Sequence, residues 1–298
     1  MFRHDLPRWQ QLVAPVWVHD LMRGRSVVAA PPVRWLLLEV GCEGLDAFLA
    51  GHIPGAGYLD TSLLEQEPFW NKVPDADLLQ LLLDMCVRHD TTVVLYGRHT
   101  TAAARAAHLM LYAGVRDVRL MDGGFAAWQR AGLPVAAGAA HVYPAAGTFG
   151  ADFPGCPQFL FGTGQARALL SEPQGALVSI RTWDEFTGKT SGYCYIDAKG
   201  DIPGARWGHA GDADDMNSMS DFQRPDGTMR PAREISQLWK EEGIDADQQV
   251  AFYCGTGWRA SLAFYYAWLM GWERISVYDG GWFEWSSNPQ NPVTPRAT

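Results

Sequence analysis

Cysteine is scarce in this chain of 298 residues, and what there is does not pair off. Cys42, Cys86, Cys156, Cys194 and Cys254 make an odd number, lie far apart and include no Cys-x-x-Cys. That pattern argues against a disulfide framework and against a zinc site. The eight histidines are scattered, none at ligand spacing from a cysteine, so neither a metal nor a cofactor is expected. Positive charge is also short: 24 Lys and Arg stand against 33 Asp and Glu, a net charge of −9. An acidic chain with no basic stripe is a poor general partner for nucleic acid or an anionic membrane surface, and any anion site must be built locally. No apolar run is long enough for a membrane span. The start, Met1 to Trp9, lacks the apolar core of a signal peptide, so the cytoplasm is the expected compartment, or the periplasm if this is the mature form of an exported precursor.

What is present is a globular composition, 47% hydrophobic, on a chain long enough for two domains with a core each. In the first half, Val16 to Leu21 reads as a first short strand and turn, and Trp35 to Val40 as a strand ended by Gly41. A helical turn at Asp46 to Leu49 and the segment Gly51-His52-Ile53-Pro54-Gly55-Ala56 follow. Asp77 to Met85 has Leu78, Leu81, Leu82 and Met85 at helical spacing. Thr92 to Tyr96 is the next strand, Thr101 to Ala113 a helix, and Val118 to Met121 a strand before Asp122-Gly123-Gly124. Strands alternating with helices predict an α/β fold: a parallel sheet with helices on both faces.

The second half repeats the first. At a constant offset of 157 positions, Tyr96-Gly97 falls on Tyr253-Cys254, Gly114 on Gly271, Asp122-Gly123-Gly124 on Asp279-Gly280-Gly281, and Trp128 on Trp285. Ile53-Pro54-Gly55-Ala56 matches Ile202-Pro203-Gly204-Ala205 at a slightly smaller offset, and Glu39-Val40-Gly41 falls opposite Ser179-Ile180-Arg181. This is a duplicated domain. The stretch Gly138 to Pro157, rich in Gly, Ala and Pro and without periodicity, is the expected linker, dividing the chain into 1–144 and 145–298.

Chemistry concentrates at Cys254-Gly255-Thr256-Gly257-Trp258-Arg259. Val250 to Tyr253 reads as a buried strand, Ala260 to Met270 as a helix, and the six residues between them as the loop. Such a loop opens at the carboxyl end of a parallel sheet, where α/β folds place ligands. The glycines let successive N–H groups turn inward as an anion nest, and the helix N-terminus adds partial positive charge. A thiol at the floor of that nest is favoured as the reactive thiolate. The bland alternative is a small apolar Cys at a strand end. The first-half copy has Gly97 at the nucleophile position, followed by Arg98-His99-Thr100-Thr101-Ala102, without the Cys, the loop glycines or the Arg. A glycine carries no sulfur, so the first half reads as scaffold or as one wall of the cleft, and His99 as a solvated loop residue.

Cys254 to Arg259 resembles the active-site loop of the rhodanese family, sulfurtransferases that carry a persulfide on one cysteine. Gly200-Asp201-Ile202-Pro203-Gly204-Ala205-Arg206 is similar to that family's Gly-His-Ile-Pro-Gly-Ala segment, and Tyr278-Asp279-Gly280-Gly281-Trp282 to its Asp-Gly-Gly segment. Both halves carry the likeness, which implies two tandem rhodanese-like domains, the first inactive and the second catalytic. It further implies that the Cys254 thiolate takes the outer sulfur of a small anionic donor, thiosulfate or mercaptopyruvate. The N–H groups from Gly255 to Arg259 then cradle the persulfide. Thr256 adds a hydroxyl donor, and Trp258 either walls the pocket or packs outward. Arg259 either binds the donor's oxygens or turns outward to a carboxylate. In the family a strand-end Asp-x-Arg often supplies a substrate-binding Arg. Here Ser179-Ile180-Arg181 has the Arg without the Asp, leaving Arg181 less anchored, and its alternative is a surface pair with Asp184 or Glu185. Thr187 to Gly200 is an excursion able to lid the site, with Lys189 and Lys199 solvated and Cys194 a spare thiol or a resolving one.

Alternatives remain within and outside that class. Gly255-Thr256-Gly257 is closer to the Gly-Ser-Gly loop of mercaptopyruvate sulfurtransferases than to the charged loop of thiosulfate rhodaneses. Cysteine phosphatases run Cys-x₅-Arg, one residue longer than Cys254 to Arg259, and the smaller ring suits a single sulfur better than a phosphate. A relay taking persulfide from a protein donor and handing it to a protein acceptor needs the same loop.

Overall fold

The computed structural model describes residues 3–32, 34–42, 44–213 and 215–294. The chain divides into two compact units, residues 1–66, 72–157 and 226–229 in one, and 67–71, 158–225 and 230–298 in the other. The change-over at Pro157 lies inside the expected linker but later than 144/145. The backbone explains the shift: the N–H of Ala146 donates to the Leu83 carbonyl, that of His89 to Phe149, and that of Gly155 to Ala113, so 145–157 packs with the first half.

The first unit contains β1 (Leu12–Val13), α1 (Pro15–Met22), β2 (Trp35–Gly41), α2 (Leu45–Ala50), β3 (Gly57–Asp60), α3 (Asp75–Asp84), β6 (Thr92–Gly97), α4 (Thr100–Ala113), β7 (Asp117–Met121) and α5 (Gly124–Arg130). A two-stranded ribbon, β4 (Glu65–Gln66) and β5 (Asn71–Lys72), interrupts this series. The sheet order is β1-β7-β6-β2-β3, with every pairing parallel. β6 is buried along its whole length, as a central parallel strand covered on both faces must be. Leu37, Val94 and Tyr96 face one core with α1, α2 and α5 side chains, and the alternate residues face the other side.

Val16 to Leu21 is helical rather than a strand. Pro15 occupies the first turn, where its fixed φ and missing N–H cost nothing, and Trp17 and Val18 bury one face against the core. The edge strand is instead Leu12–Val13, in register with Leu120 and Met121.

The second unit repeats the plan with β8 (Leu160–Phe161), α6 (Thr163–Leu169), β9 (Gly175–Ser179), α7 (Trp183–Phe186), β10 (Arg206–Trp207), α8 (Ala232–Glu241), β11 (Gln249–Tyr253), α9 (Trp258–Leu269), β12 (Ile275–Tyr278) and α10 (Gly281–Ser287). Its order, β8-β12-β11-β9-β10, is that of the first sheet position by position. Ala251 and Tyr253 face a core with Leu177, Tyr278, Trp282 and Trp285, while Phe252 faces Trp239 of α8 at 5.3 Å. From Arg259 to Leu269 α9 is buried on every side, which explains why it reads as apolar without a polar face. No helix among the described residues is long and apolar enough to cross a membrane.

Candidate active site

Cys254 follows the central strand β11 directly and is 2% exposed. Gly257 stands at φ +108°, a left-handed conformation that suits glycine, and turns the chain into α9. The helix begins at Trp258, two residues before the sequence suggests, so the loop proper is 254–257 and Trp258 and Arg259 belong to the first helical turn. The Gly257 N–H reaches Cys254 Sγ at 3.2 Å. From below, the Trp282 and Phe283 N–H groups hold the carbonyls of Cys254 (2.8 Å) and Gly255 (3.1 Å). Gly281 makes this clamp possible: a Cβ there would stand 2.5 Å from the Gly255 oxygen and 2.6 Å from that of Cys254. The Asp-Gly-Gly turn is thus a fixture of the loop as well as a turn.

The nest differs from expectation at its first member. The Gly255 N–H donates to the hydroxyl of Tyr193 at 2.8 Å instead of facing an open cradle. A side chain at 255 would place its Cβ 2.3 Å from Tyr193 Cζ, so this glycine exists to admit the ring. Gly255→Ala is expected to destabilise the protein by about 1–3 kcal/mol through overpacking, read as a lower thermal midpoint. Thr256 is 8% exposed, and Trp258 is half-buried.

Both arginines point inward, to carboxylates. Arg259, 1% exposed, donates from Nη1 to Glu185 Oε2 (2.9 Å) and from Nη2 to Glu185 Oε1 (2.8 Å), and Nη2 also meets the Tyr193 hydroxyl. Arg181 is fully buried. Its Nη1 donates to the Gly200 carbonyl (2.7 Å) and Asp201 Oδ2 (3.0 Å), its Nη2 to the Ser191 carbonyl (3.3 Å), and its Nε lies 3.7 Å from Glu185 Oε1. The guanidinium lies 5.1 Å over the Trp282 ring. Two buried cations therefore face two buried carboxylates. Of the two readings open for each arginine, the geometry has the carboxylate contact: Glu185 for Arg259, and Asp201 with the more distant Glu185 for Arg181. A guanidinium this deep requires a carboxylate, because an uncompensated buried charge costs several kcal/mol. Burial raises the proton affinity of Glu185, but Arg259 and Arg181 outweigh it and hold its carboxyl below the usual range. For Asp201 burial prevails over Arg181, and the carboxyl sits above its ordinary value.

Nor is Arg181 loosely anchored. The carboxylate absent from the strand end is supplied by Asp201, where the similar segments carry His. Asp201 Oδ2 accepts from Ser179 Oγ (2.8 Å) as well as from Arg181, and Oδ1 from the Ile202 N–H (2.8 Å) and the Tyr253 hydroxyl. Sequence reasoning missed Tyr193 and used Glu185 only as a surface partner. The signal for Glu185 was legible: Thr182 and Glu185 form a capping box, with the Thr182 N–H on Glu185 Oε2 at 2.7 Å. Lys189 is exposed and paired with Asp184 at 2.7 Å, and Lys199 and Cys194 are exposed. Among the described residues no cluster of His, Cys, Asp or Glu is arranged to hold a metal ion.

The first unit carries a plugged copy of this arrangement. Arg98, next to Gly97, folds back to Glu39 Oε1 (2.9 Å) and the Ala47 carbonyl (2.9 Å). Its guanidinium lies 4.5 Å over Phe125, the counterpart of Trp282. A cation stacked on an aromatic ring recurs, but here it comes from the loop itself. At Gly97 a Cβ would meet the His99 carbonyl at 2.7 Å and that of Val40 at 3.0 Å. A Gly97→Cys, Cys254→Ala double variant is accordingly expected to load no sulfur; turnover of thiosulfate by it would refute this reading of the loop.

A duplicated parallel α/β domain, with a buried cysteine at the carboxyl end of the central strand of the second copy, defines the class: a tandem α/β protein with a thiol at the mouth of one sheet. The rhodanese-like domain family matches residues 36–131 and 163–288. The chain belongs to the rhodanese family. It is 54% identical to "Thiosulfate sulfurtransferase YnjE" of Escherichia coli (strain K12) over 97% of this chain and 66% of that protein, so it spans just under two thirds of that relative. The crystal structure of YnjE superposes with a TM-score of 0.95 at 53% identity, covering 98% of this chain and 70% of that one. An anaerobic ergothioneine biosynthesis enzyme from Chlorobium limicola, in complex with trimethyl histidine, superposes with a TM-score of 0.93 at 37% identity, covering 98% and 72%.

Proposed function

We propose that this chain is a sulfurtransferase working through a Cys254 persulfide, with the catalytic chemistry in the second half and the first half inert. The thiolate attacks the outer sulfur of thiosulfate, the S–S bond of the donor breaks, and sulfite leaves with the electron pair. A thiophilic acceptor, cyanide or a thiol, then attacks the outer sulfur and releases the Cys254 thiolate. The observation that carries this reading is the cysteine's position: directly after the central parallel strand, with a backbone N–H on its sulfur and the Trp282 and Phe283 N–H groups clamping the loop beneath it. Such fixed donors stabilise anionic sulfur without reorganising. The name of the 54%-identical relative supports thiosulfate as the donor. Commitment of both guanidiniums to carboxylates favours a second reading of the same site, sulfur delivered by a protein persulfide rather than by a small anion.

The test is a donor panel read by intact mass. Thiosulfate is expected to add the mass of one sulfur atom, lost in Cys254→Ala; mercaptopyruvate is the parallel arm. Loading from a persulfidated protein alone would favour the relay. Sulfur addition that persists without Cys254 would overturn the assignment.

A further inference from the structure

Resting on the Cys254 persulfide reading, we infer that Tyr193 is a further residue of the reaction, its O–H donating to the sulfur carried on Cys254. Its oxygen is already engaged on two sides. Two groups contact it, the Gly255 N–H at 2.8 Å and Arg259 Nη2, and both are donors only. The phenol therefore accepts twice, and its one hydrogen is left for a third partner. No residue among those described takes it. The two accepted bonds fix the oxygen beside the loop, one residue from Cys254.

The ring is held as firmly as the oxygen. Gly255 has no side chain to obstruct it, and the neighbouring Gly192, at φ +78°, passes so close to Glu185 that a Cβ there would fall 2.2 Å from Oε1. The ion pair of Glu185 and Arg259 thus positions Tyr193 from two sides. The charged and titratable groups facing the phenol are Arg259 and Arg181, which favour its ionisation, and Glu185 and Cys254, which oppose it. Burial is the largest influence and holds the phenol protonated far above neutral pH. A donor that stays neutral complements a persulfide anion, whereas both nearby guanidiniums are already neutralised by carboxylates.

The hydrogen bond requires no net proton transfer. It stabilises charge on the outer sulfur as the donor's S–S bond breaks, and lowers the tendency of the persulfide to take up a proton. The residue escaped the sequence reading because it sits in the irregular excursion between Thr187 and Gly200, where no periodicity assigns a direction to a side chain.

The test compares the full-length protein with Tyr193→Phe, and with 3,5-difluorotyrosine incorporated at position 193, which keeps both accepted bonds and makes the O–H a stronger donor. Loading from thiosulfate is expected to slow about tenfold or more in Tyr193→Phe, the scale of one hydrogen bond to a charged group. The pH midpoint for alkylation of the loaded persulfide is expected to move up in Tyr193→Phe and down in the fluorinated protein. Loss of packing alone would lower stability without moving that midpoint in opposite directions. If Tyr193→Phe fails to fold, the fluorinated protein decides. Unchanged loading and an unchanged midpoint, in a wild type that does load, would overturn the role of Tyr193 and leave the persulfide reading standing. A wild type that never loads would overturn the persulfide reading itself.

Discussion

Cys254→Ala is expected to abolish sulfur transfer, with sulfite release from thiosulfate falling to the rate of the uncatalysed mixture. A persulfide carrier without its sulfur has no intermediate to form, so the loss is of the covalent route itself rather than of a contribution to it. Substituting each of the other four cysteines is expected to leave turnover close to wild type, for reasons visible in their surroundings. Cys42 and Cys194 are exposed, and Cys156 is half-buried in the linker segment. Cys86 is buried, with Arg34 Nη1 at 2.7 Å from its sulfur, but it belongs to the first unit, whereas Cys254 belongs to the second. Its substitution therefore affects stability before chemistry. Cys254→Ser is the sharper control, because it preserves volume and the Gly257 N–H contact while removing the only sulfur in the loop. Stoichiometric sulfite release in either Cys254 variant would place the reaction on another group.

The repeat, the central strands and the loop that carries Cys254 were legible because each depends on spacing or local chemistry. The offset that aligns Gly97 with Cys254 and Gly124 with Gly281 reappears as matching geometry: the Gly124 Cβ position falls 2.4 Å from the Gly97 carbonyl, as that of Gly281 does on the second loop. Helix boundaries were less legible. Trp258 and Arg259 read as loop because two glycines precede them, yet only Gly257 has the conformation that ends the loop. Val16 to Leu21 has the β-formers of a strand, but Pro15 and the core contacts of Trp17 and Val18 select a helix. Least legible was where Arg181 and Arg259 point. For Arg259 that depends on Glu185, 74 positions away, for Arg181 on Asp201, 20 positions away, and for both on a segment without regular structure. Sequence alone located these cations, but their electrostatic state is a property of the fold.

That state decides what loss of Arg259 is expected to do. Had Arg259 bound the donor, its loss would weaken donor binding by about 1.5–3 kcal/mol with the fold intact. The structure predicts instead that Arg259→Ala lowers folding stability by about 3–5 kcal/mol, the usual consequence of orphaning one partner of a buried ion pair. Glu185 is 1% exposed and keeps only the more distant Arg181 Nε, at 3.7 Å, as a cationic neighbour. Urea denaturation of the variant measures the loss. A double variant, Glu185→Leu with Arg259→Met, is expected to recover much of it, since removing both charges removes the penalty. The pH dependence adds an independent check. The folded carboxyl of Glu185 lies below its unfolded value, so its contribution is complete above the ordinary carboxylate range and is lost as pH falls through the folded value. Asp201 runs the opposite way, its raised carboxyl favouring the fold as it takes up a proton, so the comparison is best made in an Asp201→Asn background. There, Arg259→Ala should flatten the acid limb of stability. The KM for thiosulfate, measured on the folded fraction, should stay near wild type. A variant of undiminished stability with a greatly raised KM would return Arg259 to the donor and make the Glu185 pair incidental.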